Sequence, residues 1–444
     1  MKRYNVRRIY NLRPLSASKI KLILALAVTF SVCILVLQYN SVEKPPPKII
    51  RNGDKYIFPS RATNSTRNWP TFEPPSRSNG RILKRSVFNR AQKCLLDSPY
   101  APEDVHSYPV VNSYDYELPS DVEQHYFDLL NYTMPMRRIK ISSYSDYNGP
   151  WMEDVFIATF CCDKPLSYFG GYIPLFVQWT DLFHVDQDKN YTPTWYRQDY
   201  SSKFFSMLRK DVVYLAVVQH QGGIFLDKGN FHPRDHWNIL VLSGGGNGHV
   251  PVPLLLKELP YHADLMYKPR ENVFVFAGTI WSIYHVRKQM AQTLREMSAE
   301  LKFNYQIYHG AHWRAAMING SLNLAPRGFG RTSFRLAECI QMGLIPVYLY
   351  DDHDWTPYRG SPAHVSSLGF SMHISEFRDF VNKTVRGLQR DPDYLKIPER
   401  TIRMKRFRES HYTMKGLMEQ IRYLFHGDSR SNLVCQLYPA LKEE

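Results

Sequence analysis

The segment LNLAPRGFGRTSFRLAECIQMGLIPVYLYDD, residues 322–352, constrains the fold more than any other part of the chain. It opens with what can be the tip of a strand and continues through a tight turn of proline, arginine and glycine. Thr332 or Ser333 is a suitable N-cap for a helix that runs to Met342. Gly343 then provides a C-terminal stop before the apolar run LIPVYLY. A strand, a helix and a strand in this order predict one β-α-β unit of a parallel sheet.

The same alternation of apolar strands and amphipathic helices extends over both halves of the chain. In residues 94–260, EDVFIATF is read as a strand or buried segment, residues 201–223 as a helix and WNILVLSGGG as a strand. Residues 261–444 contain the strand NVFVFAG, followed by apolar residues at helical spacing. A chain of 444 residues also exceeds the size at which single cores usually stop growing. We therefore expect two α/β domains, each a parallel sheet covered by helices.

The basic charge of the chain is concentrated at its N-terminus. Residues 1–93 hold 19 Lys or Arg and 3 Asp or Glu, whereas the remainder holds 37 and 38. The folded part is thus nearly neutral, and we expect no nucleic-acid partner. Residues 22–42 carry no charge and follow seven basic residues. This pattern predicts a cytoplasmic tail at 1–21, a transmembrane signal anchor at 22–42 and a Pro-rich stem at 43–93. The alternative, a cleaved signal peptide, lacks a small-x-small cleavage site.

Sequons agree with a lumenal location for the part of the chain beyond the anchor. Five Asn-x-Ser/Thr sequons begin at Asn64, Asn131, Asn190, Asn319 and Asn382. Five cysteines lie beyond the anchor, so at least one is free or bonded to another chain. Their spacing leaves the pairing open and does not match a zinc site.

The turn and the helix that follows it predict a site for an anionic group. A helix N-terminus carries partial positive charge and unpaired N–H donors, glycine lets the backbone approach a ligand, and arginine can bind phosphate oxygens in pairs. Glu338, one turn deeper, could accept hydrogen bonds from vicinal hydroxyls. The candidate nucleotide-binding residues are Arg327, Gly328, Thr332, Ser333, Arg335 and Glu338. On the residues alone, an ordinary capped helix with solvated arginines remains an alternative.

This segment resembles the signature of the exostosin family of glycosyltransferases, in which a Pro-Arg-Gly turn leads to Ser-Phe-Arg, a Glu, a Gly and an Ile-Pro-Val strand. HPRDHWNILVLSGG, PRENVFVFAGTIW and LGFSMHISEFRDF resemble other segments of that family, so the similarity extends over about residues 211–425. The resemblance implies a GT-B fold, in which two Rossmann-like domains face each other across a cleft. It also implies an inverting hexosyl- or pentosyltransferase, anchored in the Golgi membrane as a type II protein.

Within this resemblance, the C-terminal domain would hold a nucleotide sugar, commonly a UDP-sugar, as co-substrate. Arg327, Gly328, Ser333 and Arg335 would face the diphosphate, and Glu338 would face the ribose. The acceptor would be a glycan or a glycoprotein. The sugar, the linkage and any homo- or hetero-oligomeric partner stay open.

Inversion also requires a base that takes the proton of the acceptor hydroxyl. Asp235 and His236, in HPRDHW, are the first candidates, because a carboxylate or an imidazole suits this work. The alternative is that they stabilise a loop. Glu153 and Asp154 are candidates of lower rank.

Three aspartates after the LIPVYLY strand, Asp351, Asp352 and Asp354, could form a clamp for Mn²⁺. The cationic turn argues against a need for it, and we expect neither a metal nor another bound cofactor. Residues 243–250 form a Gly-rich loop without the ending of a P-loop, and we expect them to line the cleft. A Golgi sulfotransferase and a catalytically silent, membrane-anchored glycan-binding protein remain alternative functions.

Overall fold

The computed structural model of the protein describes residues 93–98, 101–108, 110, 118–137, 149–187, 200–224, 233–280 and 285–436. The chain divides into two units, Met1–Thr71 and Phe72–Glu444, and every described residue lies in the second. The predicted tail, anchor and almost all of the stem lie outside the described residues, as do the sequons at Asn64 and Asn190. Among the described residues, no helix combines the length and apolar character that crossing a membrane requires.

The first half of the described chain is built on a parallel sheet of four strands in the order β1-β2-β3-β4. The strands are β1 Tyr172–Pro174, β2 Val213–Val218, β3 Ile239–Ser243 and β4 Val250–Pro251. The helices of this half are α1 Val122–Tyr132, α2 Met152–Phe160, α3 Trp179–Gln187 and α4 Tyr200–Ser206. Every residue of β1, β2 and β3 is buried, as expected for parallel strands covered on both faces.

Two local predictions in this half hold only in part. EDVFIATF lies within α2 instead of forming a strand. The predicted helix at residues 201–223 is divided into α4 and the strand β2. The run VVYLAVV explains the second error, because it is rich in β-branched valine, which favours a strand.

The second half contains a parallel sheet of five strands in the order β6-β5-β7-β8-β9. The strands are β5 Asn272–Ala277, β6 Tyr305–Tyr308, β7 Gly320–Pro326, β8 Ile345–Tyr350 and β9 Phe370–His373. The helices are α5 Val286–Leu301, α6 Trp313–Ile318, α7 Phe334–Met342, α8 Val365–Leu368, α9 Phe377–Arg390, α10 Ile397–His411 and α11 Met414–Phe425. The prediction of two α/β parts with parallel sheets is confirmed.

The last described part of the chain, from α11 onwards, packs against the first half. Phe425, the last residue of α11, packs on Phe160 and Phe169, with ring centroids 5.4 and 5.1 Å apart. A disulfide joins Cys435 to Cys94, 341 positions earlier in the chain. Cys339 is buried and free, which confirms that at least one cysteine beyond the predicted anchor has no disulfide partner within the chain.

Candidate functional site

The predicted nucleotide site follows β7, at the point where the order of the second sheet reverses. After β5 the chain adds β6 on one side and then crosses to add β7 on the other side, so the carboxyl ends of β5 and β7 flank a topological switch point. Ligands of doubly wound sheets bind in the crevice at such a point. The turn at residues 327–333 leaves β7 there, and it leads directly into α7.

The turn closes on itself before α7 begins. Gly328 N–H donates to the carbonyl oxygen of Thr332 at 3.0 Å, and Ser333 is the N-cap residue of α7 in an extended conformation. The Thr332 and Ser333 side chains are almost fully buried. Gly343 ends the helix with a φ of 78°, the left-handed conformation that glycine adopts readily. The boundaries predicted for α7 are therefore confirmed, although the Ser333 hydroxyl makes no capping hydrogen bond.

Arg335 is held at the switch point by contacts with three different elements. Its Nε donates to the carbonyl oxygen of Ala277, the last residue of β5, at 2.6 Å. Its Nη1 forms an ion pair with Glu338, one turn further along α7. Its guanidinium lies over the ring of Trp313, with Cζ 3.9 Å from the ring centroid. Sequence reasoning missed Trp313, because α6 carries no motif that points to the site.

Glu338 is a buried carboxylate beside this cation. Only 8% of the residue is exposed. Burial raises the pKa of Glu338 above its usual value, and the neighbouring Arg335 charge opposes that rise. The pair therefore places a cation and a hydrogen-bond acceptor side by side at the carboxyl end of the sheet.

Arg327 is placed differently from Arg335. It is 3% exposed, and its Nη1 lies 2.7 Å from Asp351 and 2.9 Å from Asp352, both of which follow β8. Burial alone would raise the pKa of Asp352, but the Arg327 and Arg331 charges outweigh burial and lower it. Arg327 thus stabilises the turn against the end of β8.

The aspartates considered for Mn²⁺ are engaged by arginines. Asp351 and Asp352 pair with Arg327, and Asp354 pairs with Arg359 at 3.1 Å. Within the described ranges, no group of three or more His, Cys, Asp or Glu side chains has an arrangement that could hold a metal ion.

The Gly-rich loop that follows β3 packs directly on the turn that follows β7. Arg331 N–H donates to the carbonyl oxygen of Gly245 at 3.1 Å, and Arg331 Nη1 donates to Asn247 Oδ1 at 2.8 Å. A Cβ at Gly330 would lie 2.1 Å from the oxygen of Gly245, so the two backbones meet where only glycine fits. The carboxyl edges of the two sheets therefore face each other at this contact, and Phe329 beside it is 58% exposed.

Asp235 and His236 lie at the amino end of β3, which is the opposite end of the first sheet. They belong to a 3₁₀ helix, Pro233–His236, that precedes β3, whereas the loop facing the turn follows β3. Asp235 is exposed, and His236 is half-buried against Phe205, with ring centroids 5.1 Å apart. Burial lowers the pKa of His236. The length of β3 separates this pair from the turn at residues 327–333, and their catalytic role stays a prediction that their position does not favour.

Glu153, a lower-ranked candidate, lies at the edge that faces the turn. It is the second residue of α2 and is 1% exposed. Its Oε1 accepts hydrogen bonds from Gln219 N–H at 2.9 Å and from the Thr180 hydroxyl at 2.7 Å. Gln219 directly follows β2. Burial raises the pKa of Glu153 to about 7, despite these hydrogen bonds to the carboxylate.

His220 is a second polar residue at this edge, and sequence reasoning missed it. Its position directly after an apolar strand could have identified it, because functional residues of parallel sheets follow the carboxyl ends of strands. The ring stacks on Phe183 at 3.8 Å, and Nδ1 accepts a hydrogen bond from Gly222 N–H at 3.0 Å. In the neutral ring the proton is then on Nε2, so His220 is arranged as a donor there and not as a base.

Comparison with known proteins adds little to this geometry. No family model matches the chain, and no curated protein matches it. Among solved structures, the crystal structure of the GtfA/B complex matches with a TM-score of 0.24 and 13% identity, over 50% of this chain and 48% of that one. The match thus spans about half the length of each chain. This TM-score is too low to establish a shared fold, so membership of the exostosin family remains a prediction from sequence motifs.

Proposed function

We propose that the chain is an inverting glycosyltransferase with a GT-B arrangement, which transfers a sugar from a UDP-sugar to a glycan or glycoprotein acceptor. The observation that carries this proposal is the Arg335–Glu338 pair at the start of α7, at the switch point of the second sheet. Switch points of this kind are the nucleotide sites of doubly wound sheets.

The leaving nucleoside diphosphate develops negative charge as the glycosidic bond breaks. Among the described residues, none accepts a hydrogen bond from Nη2 of Arg335 or from the hydroxyls of Thr332 and Ser333. These groups and the N-terminus of α7 could therefore bind the diphosphate oxygens. Arg327 would act indirectly, by fixing the turn that presents these groups.

Glu338 would accept hydrogen bonds from the ribose hydroxyls, as carboxylates of nucleotide-binding sheets do. The proposal includes no bound metal or other cofactor, because Arg335 and the helix N-terminus supply positive charge. It also includes a Golgi location with residues 22–42 as a type II anchor, supported by the basic residues that precede the apolar run.

Thermal unfolding of the full 444-residue chain with UDP, GDP, CMP or PAP tests the proposal. A ligand that binds only the native state stabilises it, by about 2.7 kcal/mol at a hundredfold excess over Kd. We expect UDP to raise Tm in the wild-type chain and not in Arg335→Ala. Arg378→Ala is the matched control, because Arg378 also pairs with a glutamate, Glu296, but on an exposed helix surface.

The shift on adding nucleotide, and not Tm itself, is the readout, so a lower starting stability of Arg335→Ala does not obscure the result. Arg335→Lys keeps the charge but removes the planar group over Trp313, and we expect a reduced UDP shift. A shift with PAP alone would favour a sulfotransferase. No shift with any nucleotide would favour a silent glycan-binding protein.

A further inference from the structure

We infer that Glu153 is the general base of the transfer, acting from the first sheet on the hydroxyl of the acceptor. This inference rests on the proposed function. It gives the base a different position from Asp235 and His236, which the sequence favours.

Glu153 lies on the side of the first sheet that faces the nucleotide site. The Gln219 N–H that binds its carboxylate directly follows β2, and β2 pairs with β3 so that Val218 lies beside Ser243. The loop after Ser243 contacts the turn after β7, through the Gly245 carbonyl oxygen and the Arg331 N–H. One continuous series of contacts thus leads from Glu153 to the turn where the donor would bind.

The two oxygens of the Glu153 carboxylate have different surroundings. Oε1 accepts hydrogen bonds from Gln219 N–H, the Thr180 hydroxyl and, at 3.3 Å, Thr180 N–H. Oε2 is buried and has no hydrogen-bond partner among the residues that the structure describes. Oε1 therefore fixes the orientation of the side chain, and Oε2, which is closed to solvent, keeps its capacity to accept a hydrogen bond.

An unpartnered buried oxygen costs stability, commonly about 1–3 kcal/mol. A second such oxygen, Oε1 of Gln178, lies in the same region, where the Gln178 amide donates to Asp154, the residue after Glu153. A sugar acceptor has hydroxyls that can donate to both oxygens. We regard the two unpartnered acceptors as part of a site whose hydrogen bonds are completed by the acceptor.

The electrostatics of Glu153 suit a base. Burial raises its pKa to about 7, and the negative charge of Asp154 adds to the rise. A carboxylate with this pKa is a stronger base than an ordinary one and is still largely ionised slightly above neutral pH.

The step balances without another reactant. The acceptor O–H bond breaks and its proton moves to Oε2 of Glu153. The acceptor oxygen forms a bond with the anomeric carbon of the donor sugar. The bond from that carbon to the diphosphate oxygen breaks, and its electron pair leaves with UDP.

Release of UDP by the full chain tests the assignment, with UDP-galactose, UDP-xylose, UDP-glucuronic acid and UDP-arabinose as donors and water as the acceptor. We expect Glu153→Gln to lower the rate about 10²- to 10⁴-fold, the usual contribution of a general base. The Tm shift on adding UDP should persist in Glu153→Gln. Glu103→Gln is the matched control, because it makes the same change at an exposed glutamate of the same half.

The pH profile separates catalysis from a structural role. The wild-type rate should fall about tenfold per pH unit below pH 7, as Glu153 takes up a proton, and the residual rate of Glu153→Gln should not. A rate in Glu153→Gln within threefold of wild type, or an unchanged pH profile, would exclude Glu153 while leaving the proposed function intact. If the wild-type chain neither responds to UDP nor releases it from any donor, the proposed function fails and this assignment fails with it.

Discussion

Arg327, in the turn after β7, and Arg335, in the first turn of α7, show how burial separates the roles of similar side chains. Arg327 is almost fully buried and pairs with Asp351 and Asp352. Arg335 keeps an Nη2 without a hydrogen-bond partner among the described residues, while Nε and Nη1 are fixed. The first geometry stabilises a loop, and the second presents a pre-oriented cation. The sequence does not distinguish the two arginines. Their spacing does not show which of them forms an ion pair with an aspartate that follows the next strand.

Glu153 should make the protein less stable as the pH rises. Its pKa is about 7 in the folded state, against an ordinary value of 4.5. Between these values the folded state binds more protons than the unfolded state, so the free energy of unfolding decreases as pH rises and the loss is complete above pH 7. Glu153→Gln cannot ionise and retains an oxygen that can accept the bonds from Thr180 and Gln219.

We therefore expect the stability of Glu153→Gln relative to wild type to increase from pH 4.5 to pH 8, by about 1–3 kcal/mol. Urea unfolding of both proteins at the two pH values measures this change, and any constant cost of the new amide cancels in the comparison. A difference in stability that is independent of pH would show that Glu153 titrates normally.

At the scale of elements, local sequence signals were sufficient where residues that favour the beginning and the end of a helix or strand are present. The α7 boundaries follow from a Ser N-cap and a Gly stop, and β5 and β8 follow from apolar runs. The sequence failed at α2, where VFIATF is compatible with either a strand or a buried helix. Its helical state is fixed by packing on β2 and α11, which are distant in sequence.

The contact between the two glycine loops is a steric requirement at the same scale. A Cβ at Gly330 would lie 2.1 Å from the Gly245 oxygen, whereas a Cβ at Gly328 would lie 3.3 Å from Nη2 of Arg287 and 3.8 Å from the carbonyl oxygen of Thr332. We expect Gly330→Ala to push the loops apart, at a cost of about 1–3 kcal/mol, and to reduce the Tm shift with UDP.

Gly328→Ala is the control for this prediction. It adds the same methyl group to the same turn, and it should change stability by less than about 0.5 kcal/mol because no atom would lie closer than 3.3 Å to the added carbon. Thermal unfolding of both variants without nucleotide makes the comparison, because Gly328 itself belongs to the predicted nucleotide site. Equal effects of the two substitutions would indicate that the turn yields to the added methyl group and that the close approach is not required.

At the scale of the whole molecule, the site depends on contacts that no local pattern could show. Arg335 lies on Trp313 and binds the end of β5, and Arg331 reaches Asn247 across 84 positions. The motif predicted which residues gather at the turn, and the sheet order explains why they gather at a switch point. Which of the candidate bases lies on the side of the turn could not be predicted, because the end of the sheet at which a residue lies depends on strand direction and pairing.

The disulfide between Cys94 and Cys435 joins the beginning and the end of the described chain, and it should contribute strongly to stability. A cross-link restricts the unfolded chain, and the effect grows with the number of residues enclosed, here a separation of 341. We expect Cys94→Ala to lower the free energy of unfolding by about 2–5 kcal/mol. Cys435→Ala should do the same, and the double variant should lose hardly more than either single variant, since the bond can be lost only once. Urea unfolding of the four proteins completes the cycle, and additive losses would show that the two cysteines act independently.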